Sequence, residues 1–143
     1  MDHVVYLDAS AKELELLLAH DKTMIIRGAT GRKLPHGRVH AGDVLYFINN
    51  NAEGRVRAKA TVVNALHSDK LTPEESAQLV EQHQGKLRLS PRQAARWAGK
   101  RYLVLVEVGE VETLEPFGID KSAYGNMDDW LPVENIERVI VSK

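Results

Sequence analysis

From Arg55 to Val62 the chain changes character at every step, with Arg55, Arg57, Lys59 and Thr61 set against Val56, Ala58, Ala60 and Val62. A period of two puts alternate side chains on opposite faces of a β-strand, here one apolar face and one cationic face. The strand is expected to run on to about Leu66. Just before it stand the turn formers Asn49-Asn50-Asn51-Ala52-Glu53-Gly54, and before those the apolar run Val44–Ile48. Together they predict an antiparallel hairpin. An amphipathic hairpin has to cover its apolar face. Further strands are expected at Val4–Leu7, Thr23–Arg27, Tyr102 to about Leu114, and Ile136–Val141, where β-branched and aromatic residues dominate. Many short strands and few helices imply an α+β architecture: a small curved β-sheet or β-barrel capped by about three helices.

The three helices have readable starts. Ser10-Ala11-Lys12-Glu13 reads as a capping box opening a helix to about His20, with Leu14, Leu17 and Leu18 as its stripe. Thr72-Pro73-Glu74-Glu75 and Ser90-Pro91-Arg92-Gln93 repeat the signal, with proline at the first helical position. Trp97, among Ala94, Ala95 and Ala98, reads as helix core.

With 143 residues, 43% hydrophobic and 27% charged, the chain is expected to be one globular domain over residues 1–143. It has no cysteine, which excludes disulfides and thiol chemistry. No apolar run approaches the roughly 20 residues of a membrane span, and Met1-Asp2-His3 opens no secretory signal. A cytoplasmic protein without a cofactor is the expectation.

The near-neutral net charge of −1 hides an uneven distribution. Lys22, Arg27, Arg32, Lys33 and Arg38 fall in an acid-free stretch from Lys22 to Gly42, and Lys86, Arg88, Arg92, Arg96, Lys100 and Arg101 in another from Gly85 to Val106. From Glu107 to Glu137 acids dominate, with Lys121 the one base. The segments either form separate charged faces or mix in space.

The string Lys22-Thr23-Met24-Ile25-Ile26-Arg27, a loop, and then Ala41-Gly42-Asp43-Val44-Leu45-Tyr46-Phe47 resembles the ASCH family of the PUA-like superfamily. The preceding helix, the alternating strand, and the later run from Lys86 through Trp97 to Glu107 follow in that family's order. The resemblance implies RNA or a modified nucleoside bound in a cleft beside the barrel. One branch with this look, the acetylcytidine amidohydrolases, is catalytic, using the lysine of a Lys-Thr-x-Thr motif and a downstream glutamate. Lys22 and Thr23 match its start, but the reactive threonine falls on Ile25, which has no hydroxyl to attack an amide. Glu74, Glu75 and Glu81 are the candidates for the glutamate.

Lys22, Arg27, Arg32, Lys33 and Arg38 are therefore the expected contacts to an anionic ligand, with Gly28, Gly31 and Gly37 freeing backbone N–H groups. Arg92 and Arg96, one helical turn apart, extend the track. In the stretch Pro116–Pro132, expected to be a long loop, Tyr124 and Trp130 could stack on a base while Asn126 reads its edge. The competing expectation there is that Phe117, Trp130 and Leu131 close the barrel as core. His36, His40, His67 and His83 lack nearby carboxylates, so no metal site is expected. The leading expectation is a PUA-like module binding RNA or a nucleotide. The alternative is a small amidohydrolase or nuclease with Lys22, Thr23 and Glu81 as catalytic candidates. A protein partner on the acidic C-terminal stretch is a third reading.

Overall fold

The alternating strand, β4 (Arg55–His67), organises the molecule. The computed structural model describes residues 1–124 and 129–142. Val56, Ala58, Ala60 and Val62 are buried and the intervening residues are not, as the period of two requires. β4 pairs antiparallel with β3 (Val44–Asn49), giving the expected hairpin. Its other edge is lined by β5 (Tyr102–Val108) and then β6 (Glu112–Ile119). The expected single strand from Tyr102 to Leu114 is thus two strands. They part at Gly109, whose N–H donates to Thr61 O, beside the register shift in β4 between Val62 and Asn64. A bulge of this kind bends a strand and raises its twist, so one straight partner cannot follow the full length of β4.

β1 (Asp2–Leu7) pairs parallel with β3 and antiparallel with β7 (Trp130–Glu134), while β2 (Met24–Ala29) pairs antiparallel with β5. The strand order is β2-β5-β4-β3-β1-β7, with β6 on β4 and β8 (Ile140–Ser142) on β6. β7 lies inside the stretch expected to be a long loop, and residues Ile136–Arg138 form a 3-10 turn instead of the start of the last strand. The sheet curls until its ends meet. Arg27 of β2 donates from Nη2 to Tyr6 O of β1, and its guanidinium lies 5.6 Å from the ring centre of Trp130 of β7. Inside the curl Val5, Leu7, Ile25, Phe47, Val104 and Trp130 share a core.

Four α-helices stand among the described residues: α1 (Glu13–Leu18), α2 (Pro73–Gln82), α3 (Gln84–Leu87) and α4 (Pro91–Trp97). The Thr72 and Ser90 capping boxes both form as read. The one expected at Ser10 does not. Asp8 outcompetes it, its Oδ1 accepting from the Ser10 hydroxyl and Ala11 N–H while Glu13 Oε1 accepts from Asp8 N–H. Helix α1 accordingly starts at Glu13. Leu87, Leu89 and Trp97 pack the helices onto Met24, Ile26, Leu103 and Leu105, on the outer face of β2 and β5. Among the described residues no helix is long and apolar enough to cross a membrane.

Candidate nucleic-acid or nucleotide cleft

Among the described residues a polar depression runs along the seam where β2 meets β1 and α4. Arg27, Gly28, Lys33, Leu34, Asn50, Arg96, Trp97, Lys100 and Asp129 line its wider part, a cleft of about 380 Å³. Each wall follows from local chemistry. Asn50 sits in the β3–β4 turn, its Oδ1 held by Ala9 N–H at 2.9 Å. The Ser90 capping box fixes the start of α4, so Arg96 and Trp97 come together at its last turn, with the guanidinium 4.4 Å from the indole centre. That is cation–π distance, and it presents a flat, positively charged platform. Gly28 lets β2 approach β5: a Cβ there would lie 2.8 Å from Leu103 Cδ2 and 3.2 Å from Tyr102 O.

Lys33 and Leu34 belong to the loop between β2 and β3, and histidines pin that loop to the end of β4. His36 Nε2 lies 2.8 Å from Ser68 O, and Gly37 N–H donates to His67 Nδ1 at 2.9 Å. Since Nδ1 accepts, His67 donates from Nε2 to Val39 O at 2.8 Å, which fixes its neutral tautomer. These histidines anchor the loop through carbonyls. Arg32 is exposed and crosses the ring of Tyr102 at 5.6 Å, and Arg38 and Arg92 are likewise exposed and outside the cleft lining.

Lys22 and Arg27 are placed differently from the other basic residues. Lys22 is 1% exposed, donates to Leu87 O, and lies 3.3 Å from Glu13 Oε2, so its ammonium does not reach the cleft. Burial pulls its pKa below the usual lysine value, with Glu13 working against the shift. Glu81 is exposed on α2; the acid that meets Lys22 is Glu13. Ile25 is fully buried on the inner face of β2. Arg27 forms part of the cleft floor, but its Nη1 donates to Ile26 O and its Nη2 to Tyr6 O. Its Nε lies 3.2 Å from Asp129 Oδ2 without hydrogen-bond geometry.

Tyr124 packs against the cluster of Val4, Ile48, Leu131 and Val139 and does not line the cleft. Asn126 and Asp128 lie outside the described residues. Trp130 is 1% exposed and donates from Nε1 to His3 Nδ1 at 3.1 Å, so it is core and not a stacking surface. The acidic and basic segments mix in space: Lys86 pairs with Glu107 at 2.9 Å, Lys59 with Glu112 at 3.7 Å, and Arg27 with Asp129. Asn50, Gln93, Asp8 and Asp129 line the cleft or its inner end, and sequence reading missed these roles. The turn around Asn50 and the capping glutamine Gln93 were legible, but not which way they face.

No protein-family profile matches the sequence, and no curated protein matches it. Solved structures do. The ASCH protein of Zymomonas mobilis is 16% identical with a TM-score of 0.63, over 93% of this chain and 89% of that one. A tyrosine-to-phenylalanine mutant of the same protein superposes with a TM-score of 0.66 at 15% identity, over 96% and 94% of the two chains. A serine-to-alanine mutant gives 0.66 over 96% and 92%. This chain has the ASCH fold. At such identity the likeness establishes the α+β PUA-like architecture, and the expected resemblance holds at that level.

Proposed function

We propose that residues 1–143 form a single PUA-like module that binds RNA or a nucleotide in the cleft between β2 and α4. One observation carries the reading: Lys33, Arg96 and Lys100 line one cleft with Trp97. Cations hold phosphate oxygens, and an aromatic or guanidinium plane stacks a base without regard to sequence. A cleft of about 380 Å³ lies within the roughly 300–1,000 Å³ of small-ligand sites. The setting fits a cytoplasmic protein.

The test is a fluorescence-anisotropy titration of the full chain with single-stranded RNA across a salt series. Affinity falls as salt rises, and Lys33→Ala with Arg96→Ala weakens it about tenfold. Absence of binding at low salt, or affinity unchanged in the double variant, would sink the proposal.

The enzyme reading, a small amidohydrolase or nuclease, has one observation in its favour: a buried lysine beside a glutamate that borders the cleft's inner end. Its test is acetate release from acetylated cytidine, abolished by Lys22→Met. Folded protein that releases no acetate rules that activity out.

A further inference from the structure

At its inner end the cleft narrows to a recess of about 40 Å³, bounded by Tyr6, Asp8, Glu13, Gln93 and Asp129. Arg27, Asn50, Arg96, Trp97 and Asp129 border both compartments. One water needs roughly 10–15 Å³ of such space. The recess therefore takes a few polar atoms, and an aromatic ring has to stay in the wider part, against the Arg96 guanidinium that covers Trp97.

The donors and acceptors left over at the recess decide which group fits. Among the described residues Asp8 Oδ2 receives a long 3.4 Å contact from Gln93 Nε2, and the Ser10 hydroxyl holds the Asp8 pKa below the usual carboxylate value. Asp129 presents a second carboxylate, 45% exposed. Next to them, Arg27 Nε is buried and has no hydrogen-bond partner among the described residues, Asp129 Oδ2 lying 3.2 Å away without hydrogen-bond geometry. A buried donor left unmade is costly, and an arriving acceptor removes that cost. Carboxylate acceptors beside an N–H donor complement an amino group beside an unprotonated ring nitrogen. Cytosine and adenine carry that edge; uracil and hypoxanthine carry the reverse, a carbonyl beside an N–H.

We infer that the recess selects nucleotides whose base bears a free exocyclic amine next to a bare ring nitrogen, with the phosphate on Lys33, Arg96 and Lys100. The inference rests on the nucleotide-binding reading above and names its ligand class. Acetylation removes one amine N–H and sets a carbonyl and a methyl beside the carboxylates, so modified cytidine is disfavoured.

Calorimetric titration of the full chain at low salt tests it, with the monophosphates of cytidine, adenosine, uridine and inosine as probes. Cytidine and adenosine monophosphate bind at least about tenfold tighter than the other two, the discrimination a good paired contact provides. Asp129→Asn keeps the size, lets an amide face a carbonyl, and brings the four within about threefold. Four equal affinities in the wild type overturn this inference and leave the nucleotide reading standing. No binding of any probe overturns both. A preference that survives Asp129→Asn, or acetylated cytidine monophosphate binding as tightly as the unmodified form, also overturns it.

Discussion

The acid-free stretch from Lys22 to Gly42 divides at Gly28 into halves that meet opposite surroundings. Just before β2 and on it, Lys22 and Arg27 are buried, and each faces an acid from elsewhere in the chain: Glu13 on α1 for Lys22, Asp129 beside β7 for Arg27. In the loop that follows, Arg32, Lys33 and Arg38 are exposed. Residues of one charge type, a few positions apart, thus serve as internal fasteners in one half and as surface charge in the other. The difference is set by the strand, which turns Ile25 and Arg27 toward the closing seam of the curled sheet. Burying a charge costs several kcal/mol unless it is paired and hydrogen-bonded. A buried cation therefore comes with its partner, whereas an exposed one on the loop stays hydrated and carries no such cost.

The sharpest way to break this contrast is to remove one member of the buried pair. Glu13→Ala leaves Lys22 enclosed without a counter-charge and should cost about 3–5 kcal/mol in urea unfolding, whereas Glu13→Leu with Lys22→Met should recover most of it. A loss under about 1 kcal/mol for Glu13→Ala would mean Lys22 is not a fastener. Arg27→Ala comes next. It deprives the Ile26 and Tyr6 carbonyls of their donor, and each buried group so orphaned costs about 1–3 kcal/mol. If that variant weakened RNA binding but left the melting temperature unchanged, Arg27 would belong with the loop residues.

The contrast was only half legible in the sequence. The hairpin, the two proline-led capping boxes and the inward face of β4 rest on local chemistry and were readable. Partners distant in the chain were not. Glu13 sits in a capping motif, so its local role concealed its pairing with Lys22, nine residues on across the α1–β2 connection. Asp129 stands in a stretch dense with Gly, Asn and Asp that reads as loop, yet β7 begins at the next residue. The basic segment was readable as a site by composition, and its membership changed in space. Arg96 and Lys100 joined Lys33 because the fold brings the end of α4 to the seam, and Arg38 fell outside.

The exposed half supports a milder prediction. Lys33→Ala with Arg96→Ala should lower RNA affinity about tenfold and flatten its salt dependence by about two phosphate contacts. Unfolding stability should stay within about 0.5 kcal/mol. A large stability loss would erase the distinction between the halves.

The smallest effect concerns what holds the Arg27 latch from behind. The guanidinium faces Trp130, whose indole N–H donates to His3 Nδ1, so His3 must donate from Nε2 to Asp43 Oδ2 at 2.9 Å. Burial lowers the His3 pKa from its usual 6.5, overcoming the bond and charge of Asp43, while the terminal amine and Arg38 push it further down. A histidine that resists protonation when folded destabilises the fold as acid is added. Above pH 6.5 it is neutral in both states and the contribution is complete. Below 6.5 the unfolded chain takes up a proton that the folded chain refuses, and stability drains away until the folded pKa is reached. Asp43, held below its usual 3.8 by His3 and the His40 N–H against the effect of burial, adds a second loss only below about pH 4. The melting temperature should therefore fall gradually from pH 7 to 5.5, with the Trp130 near-ultraviolet signal following it, and His3→Gln should flatten that slope. A flat wild-type profile, or a slope that survives His3→Gln, would detach the latch from His3 and leave Arg27 held by its two carbonyls and Asp129 alone.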